Sequence, residues 1–289
     1  MTAPMRVLVV GAGYVGARLA ERLAHGGHDV WAVRRDPSAL PSFLAAVAAD
    51  VTDPATLGAL PTDVDRVVYC VGASARTPGA YRAAYVDGLR NVLSELQGSA
   101  ARRLVFVSST AVFSESDGGW VDEASETDAS SFSAAALLEG EELARTSGLD
   151  ATVLRLAGIY GPGRTFLIRQ VASREARVEP ADHEGPPRYG NRIHRDDCAG
   201  AIEHLLGLPA VAPCYVGVDD DPAPLAETYR FVADHLGVAA PAEGAVGEGR
   251  GGNKRCLNAR LRASGYSLAY PSYRDGYPAI IDAYREALR

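Results

Sequence analysis

The strongest constraint on this chain lies in its first turn of structure, Val7-Leu8-Val9-Val10-Gly11-Ala12-Gly13-Tyr14-Val15-Gly16. Val7 to Val10 has no polar face, so it reads as a strand buried on both sides, as in a parallel sheet. The glycines at 11, 13 and 16 then open a helix with Val15, Leu19 and Leu23 on one side. Strand, Gly-x-Gly-x-x-Gly turn and helix together form a dinucleotide cradle. Gly11 permits the tight turn, Gly13 lets the backbone approach a pyrophosphate, and Gly16 lets the helix pack closely on the strand. The helix start, with Tyr14 and Val15, faces the phosphates.

A second strand over 29–33 ends at Arg34-Arg35, and the residue there selects the cofactor. A carboxylate would bind the adenosine ribose diol, whereas arginine pairs with a 2'-phosphate in a forked geometry. The reading is therefore NADP, with NAD as the alternative because Asp36 follows immediately. Strands over 45–49 and 66–71 put Asp50, Val51, Val71 and Gly72 along the adenine and ribose. An apolar-faced helix over 80–96 precedes a fifth strand, 104–108, which brings Ser108 and Ser109 to the same edge. A polar loop containing Gly118-Gly119-Trp120-Val121-Asp122-Glu123 reads either as a lid or as plain surface. A helix over 133–145 and a strand over 151–156 lead to Leu156, Ala157 and Gly158, the last of the expected cofactor contacts.

Strands alternating with helices at this spacing predict an α/β fold, a Rossmann-type doubly wound parallel sheet. Beyond Gly163 prolines interrupt shorter elements, as expected of a smaller, loop-rich substrate domain. Residues 1–157 with about 190–207 form the expected dinucleotide-binding domain, and 158–189 with 208–289 the substrate-binding region. The helix over 196–206 returns the chain to the sheet, and the Gly/Ala-rich stretch 239–252 reads as a mobile loop.

The net charge of -7 and the lack of a basic run argue against nucleic acid as a partner. No apolar run approaches the roughly 20 residues that span a membrane, so a cytoplasmic protein with a small-molecule substrate is expected. Cys70, Cys198, Cys214 and Cys256 show no metal-like spacing, Asp196-Asp197 opens a helix, and Asp219-Asp220-Asp221 reads as a solvated turn, so no metal site is expected. Lys254 is the only lysine in the sequence.

Four stretches carry a resemblance to a known family. They are the glycine loop, Val107-Ser108-Ser109-Thr110-Ala111-Val112-Phe113, Leu154-Arg155 through Tyr160-Gly161-Pro162-Gly163, and Asn191-Arg192-Ile193-His194-Arg195-Asp196-Asp197. In this order they resemble the extended short-chain dehydrogenase/reductase superfamily, in its atypical epimerase/dehydratase-like branch. The resemblance implies hydride transfer at an alcohol or ketone, a Tyr-x-x-x-Lys helix whose lysine lowers the tyrosine pKa, and a homodimer through the helices at 80–96 and 133–145. Ser109 matches the family's serine, which orients the reacting oxygen. The helix that should carry the pair reads Ser130-Ser131-Phe132-Ser133-Ala134-Ala135-Ala136-Leu137-Leu138-Glu139, with neither tyrosine nor lysine.

An alkoxide left by hydride transfer must still be protonated, so another acid is needed, or a substrate that demands none. Tyr85 stands where the family usually has an asparagine near the site, Tyr160 follows the sixth strand, and His194 is an imidazole able to exchange a proton near neutral pH or else a hydrogen-bonded structural residue, so the three are the candidate proton donors. Arg192 and His194 are the candidate substrate contacts, Arg192 for an anionic group. The alternative to an enzyme is a non-catalytic NADP-binding sensor that kept the cradle and lost the Tyr-Lys pair.

Overall fold

The computed structural model describes residues 4–180, 183–244, 246 and 251–289. In chain order the elements are β1 (Arg6–Val10), α1 (Tyr14–His25), β2 (Asp29–Arg34), β3 (Ala45–Ala48), β4 (Arg66–Tyr69), α2 (Pro78–Arg82), α3 (Gly88–Glu95), β5 (Arg103–Ser109), β6 (Trp120–Val121), α4 (Phe132–Arg145), β7 (Asp150–Leu156), β8 (Gly158–Tyr160), α5 (Phe166–Ala172), β9 (Arg177–Val178), β10 (Arg192–His194), α6 (Arg195–Gly207), β11 (Cys214–Gly217), α7 (Leu225–Leu236), β12 (Ala242–Glu243), β13 (Arg255–Cys256), α8 (Ala259–Ala263) and α9 (Tyr273–Glu286). Of the Gly/Ala-rich stretch, residues 245 and 247–250 lie outside the described residues.

Seven strands form one sheet in the order β11-β7-β5-β4-β1-β2-β3. The registers from β7 through β3 are all parallel, with Val9 opposite Ala32 on one side and Val68 on the other. The chain reverses its direction of travel across the sheet between β1 and β4, and ligands of doubly wound sheets bind outside the strand ends at such a point. Val7 to Val10 are fully buried, as a strand covered on both faces requires. β11 was not expected from the sequence. Its four residues are all buried, and so short an apolar run carries no period that separates strand from loop.

The sequence predicts one helix over 80–96, and the structure breaks it. α2 and α3 are separated by a π-helical turn, Ala83–Asp87. The buried Tyr69 hydroxyl donates to the Ala84 carbonyl, which an α-helix would give to the Gly88 N–H. That N–H bonds to Ala83 O instead, one residue further back. Such π turns concentrate at functional positions, and this one carries Tyr85.

Two compact units divide the chain: residues Met1–Val112, Thr127–Leu156 and Cys198–Tyr215, and residues Phe113–Glu126, Ala157–Asp197 and Val216–Arg289. The boundaries differ from the sequence expectation at three places. Residues 113–126 belong to the second unit because β6 pairs with β13, 190–197 because β10 pairs with β8, and 208–215 return to the first. The first unit's core packs Leu8, Val10, Leu104, Phe106 and Val153 of the sheet against Leu89, Val92 and Leu96. The second unit's core packs Ile168, Val171, Val232 and Ala233 against Tyr160, Tyr273, Tyr277, Ile280 and Ile281.

Candidate functional site

The three glycines of the first loop do different work. A Cβ on Gly11, whose φ is +96°, would stand 2.7 Å from Cys70 C and Val71 N, so this turn presses on the end of β4. A Cβ on Gly16 would stand 2.3 Å from Gly11 O, which sets how closely α1 packs on the loop. At Gly13 the nearest atom of the chain would be 3.9 Å away. Nothing in the chain's own packing requires a glycine there, so the open face fits a ligand that approaches the backbone. No side chain caps α1, and its first turn holds no carboxylate. Its positive end is therefore left for an anion. The residues present fit a dinucleotide pyrophosphate.

The ends of β2, β3 and β4 gather around this loop. Arg34 Nη1 donates to Ala12 O at 3.4 Å, which folds the guanidinium back onto the glycine turn. Arg35 is exposed beside it. Asp36 accepts from Ser38 N at 3.0 Å, and the Ser38 hydroxyl and N–H, with a smaller pull from Arg34, hold its pKa below the ordinary value. Asp50 accepts from Thr52 N at 2.9 Å, and this bond, helped by its hydroxyl and Arg35, keeps the carboxyl ionised. The Val51 side chain is buried and its carbonyl accepts from Asn91, while Gly72 is exposed with open space around its Cα. The first unit thus brings Gly11, Gly13, Tyr14, Val15, Gly16, Arg34, Arg35, Asp50, Val71 and Gly72 to one edge of the sheet.

At the end of β5 the two serines point to opposite faces. Ser108 is 5% exposed and donates to Glu141 Oε1 at 2.7 Å. That corrects the expectation of a cofactor contact: its hydroxyl is spent inside the unit. Glu141 is fully buried and also accepts from Arg155 Nε and Nη2 at 3.0 and 2.8 Å and from Arg145 Nη2 at 2.8 Å. One carboxylate therefore joins β5, β7 and α4, a constellation the sequence reading missed. Ser109 is half-buried, and its Oγ accepts from Ala111 N at 3.2 Å.

Tyr85 packs against the cluster of Val112, Ala134 and Leu137, where α4 presents apolar groups and contains neither tyrosine nor lysine. A Cβ on Gly140 would stand 2.5 Å from Tyr85 O, so α4 comes close to the π turn at this glycine. Burial pushes the Tyr85 phenol above its usual value, with Tyr81 adding to the rise, while the Ala73 N–H donates to the phenol oxygen and opposes it.

The remaining candidates lie in or lead into the second unit. Leu156 and Ala157 are buried, Ala157 donating to Gly217 O, while Gly158 is exposed and donates to Asn191 O. Tyr160 is 5% exposed, stacks on Tyr277 with ring centres 4.9 Å apart, and donates to Ser272 O at 3.3 Å. Burial pushes its phenol far up. This environment makes Tyr160 a packing residue and removes it as a proton donor. His194 is 2% exposed, lies 3.8 Å from the Tyr270 ring centre, and its Nδ1 accepts from Asp196 N. Arg192 is 6% exposed, donates to Gly190 O at 3.0 Å, and has its guanidinium 5.5 Å from the Tyr273 ring. Both are turned into the unit's core rather than toward a substrate.

Of the two acidic stretches, Asp196-Asp197 lies in the first turn of α6 as expected, whereas Asp219 departs from the solvated turn expected of it. Asp197 is fully buried and accepts from the Tyr266 hydroxyl, Ala269 N and Tyr270 N at 2.8, 2.7 and 2.9 Å, so it holds the 266–270 loop. Asp219 is not solvated but 1% exposed, because its N–H donates to Arg192 O directly after β11. The lysine at 254 is buried, bonded to Phe113 O at 3.2 Å and to Gly251 O, and burial lowers its pKa. Among the described residues no group of three His, Cys, Asp or Glu could hold a metal ion, and no helix is long and apolar enough to cross a membrane.

A doubly wound parallel sheet with an open glycine cradle at its reversal point defines a Rossmann-type dinucleotide-binding protein. The sequence pattern of the NAD dependent epimerase/dehydratase family matches residues 7–201, and the chain belongs to that family. It is 30% identical over 256 residues to the 3-diazoavenalumate denitrifying reductase of a Streptomyces species, covering 82% of this chain and 83% of that one. A Methylobacillus flagellatus structure assigned as an NAD-dependent epimerase/dehydratase matches with a TM-score of 0.80 and 36% identity, over 98% of this chain and 100% of that one. The Thermus thermophilus UDP-glucose 4-epimerase, solved with NAD, shares the fold at a TM-score of 0.81 and 21% identity, over 98% and 100%.

Proposed function

We propose that this chain is an NADP-dependent oxidoreductase or epimerase-like enzyme acting on a small carbonyl or sugar-like substrate. The observation that carries the NADP preference is Arg34. Its guanidinium rests on the glycine turn while Asp36, the carboxylate that would favour NAD, is held by Ser38. A bound reduced nicotinamide supplies the hydride. Ser109, whose Oγ already accepts from Ala111 N, keeps its own proton to orient a substrate oxygen. Tyr85 takes the part of the missing tyrosine. Its oxygen accepts from Ala73 N–H, so its proton is left to give, and burial keeps the phenol neutral. A neutral phenol suits an acid that protonates a developing alkoxide. The phenolate that remains is stabilised by the Ala73 N–H until water reprotonates it.

A second reading is favoured by α4, which supplies no proton-transfer pair. A cationic substrate carbon, such as one bearing a diazonium group, that breaks its bond to a neutral leaving group (dinitrogen) as it accepts hydride balances without a proton from the protein. The relative whose name describes removal of nitrogen from a diazo compound supports this class.

Titration with NADPH, NADP+, NADH and NAD+ tests the cofactor reading. The NADPH preference should fall roughly ten- to hundredfold in Arg34→Ala, the worth of one charge-assisted pair. Equal binding of NADPH and NADH by the unaltered chain would refute the preference, and no dinucleotide binding would refute the whole proposal. Tyr85→Phe should lower carbonyl reduction by a factor of about 10²–10⁴. Unchanged reduction would remove Tyr85 and favour the second reading. NADPH binding without oxidation against either substrate class would leave the sensor.

A further inference from the structure

Arg255 lies on β13 in the second unit, and every feature around it fixes its orientation. Its backbone N–H donates to Gly119 O at 2.8 Å, and its Nε donates to Gly118 O at 2.8 Å. The guanidinium carbon stands 4.6 Å from the Trp120 ring centre and 4.8 Å from that of Tyr189. Asn191 fastens the backbone on both sides, accepting from Cys256 N at 2.7 Å and donating to Lys254 O at 2.9 Å. Tyr189 is itself tied in, its N–H donating to Asn253 Oδ1 at 2.9 Å.

This cation lacks the partner such preparation normally serves. Among the described residues no carboxylate pairs with Arg255, and its two terminal nitrogens make no hydrogen bond. Glu115, the carboxylate of the facing loop, is occupied by the N–H groups of Asp117 and Gly119, and these hold its pKa down. Trp120 remains 51% exposed. A guanidinium near two aromatic rings, with Nε already satisfied, leaves its two terminal nitrogens to match two oxygens of one anion.

We propose that Arg255, Trp120 and Tyr189 form a binding site for a small planar molecule carrying an oxyanion, either a carboxylate or a phosphate. The fork takes the anion and the open surface of Trp120 takes the ring. The arginine is ordered before the ligand arrives, so little side-chain entropy is lost on binding. This goes beyond the cofactor reading, since no group of the glycine cradle takes part. It also moves the anion contact from Arg192, which is buried, to Arg255.

The chain has two tryptophans, so Trp31→Phe leaves Trp120 as the only indole reporter. Its fluorescence is followed during titration with benzoate, phenyl phosphate and neutral benzamide at constant ionic strength. We expect saturable quenching by benzoate, phenyl phosphate or both, at roughly millimolar affinity as befits fragments of this size, and much weaker binding of benzamide. Whichever anion binds more tightly names the ligand's charged group. Arg255→Met should weaken the anions about tenfold or more. Arg255→Lys, which keeps the charge and the fold but loses the fork, should fall between. Far-ultraviolet circular dichroism checks that each variant is folded. Benzamide binding as tightly as benzoate, no saturable response to either anion, or anion binding that folded Arg255→Met and Arg255→Lys both retain would overturn the proposal. No dinucleotide enters this titration, so its outcome and that of the NADPH titration are read separately.

Discussion

Asp219 makes the stability of the second unit depend on pH in a direction unusual for an aspartate. Its carboxyl is 1% exposed, its Oδ1 accepts from Asp221 N at 3.3 Å, and its Oδ2 has no hydrogen-bond partner among the described residues. Burial pushes its pKa up to about 8, against the pull of Arg192 in the other direction. In the unfolded chain the value is about 3.9. The folded state therefore binds the proton more tightly. The resulting stability is complete below about pH 4 and is lost as pH rises through about 8. Over the two units from pH 5 to pH 7 the loss amounts to about 3 kcal/mol. Asp219→Asn keeps the shape and the Oδ1 acceptor but cannot ionise, so this slope should vanish. Urea unfolding followed by Trp120 fluorescence in the Trp31→Phe background measures it. The variant should gain about 3 kcal/mol on its parent between pH 5 and pH 7. Parallel stability curves across that interval would show that Asp219 is ionised in the fold, and the argument from its burial would fail.

Two other substitutions separate packing from function. Gly16→Ala places a Cβ 2.3 Å from Gly11 O and should disrupt the cradle, costing about 2 kcal/mol or more in denaturant unfolding, whereas Gly13→Ala meets nothing closer than 3.9 Å and should weaken NADPH far more than it weakens the fold. Equal loss of stability in the two would contradict the assignment of Gly13 to the ligand. Glu141→Gln leaves the buried Arg155 guanidinium without its counter-charge and should cost about 3–5 kcal/mol in urea unfolding. A cost under about 1 kcal/mol would mean that the three-way junction does not hold β5, β7 and α4 together.

Much of the first unit was legible because its elements carry local signals. The apolar run at Val7 to Val10, the glycine spacing and the one-sided helices are properties of consecutive residues, and they appear within a residue or two of the expected bounds. The break in the helix over 80–96 was not legible, since it depends on the Tyr69 hydroxyl reaching Ala84 O across 15 positions. The role of Glu141 was hidden for the same reason: its partners Ser108 and Arg155 lie 33 and 14 residues away.

The second unit shows the limit more sharply. Arg192 and Arg255 look alike in the sequence, two arginines next to short polar stretches, and nothing local marks Arg255 as a candidate contact. Which of them faces outward depends on the pairing of β10 with β8 and of β13 with β6, partners distant along the chain. The sequence by itself determined the parallel sheet, the cradle and the absence of a Tyr-Lys pair from α4, since periodicity, glycine spacing and residue identity are local. Only the tertiary structure decided that Tyr160, His194 and Arg192 are core, that Asp219 is buried, and that Arg255 is held open. Burial and the company of a charge are set by segments that meet in space, and one sequence does not record which segments meet.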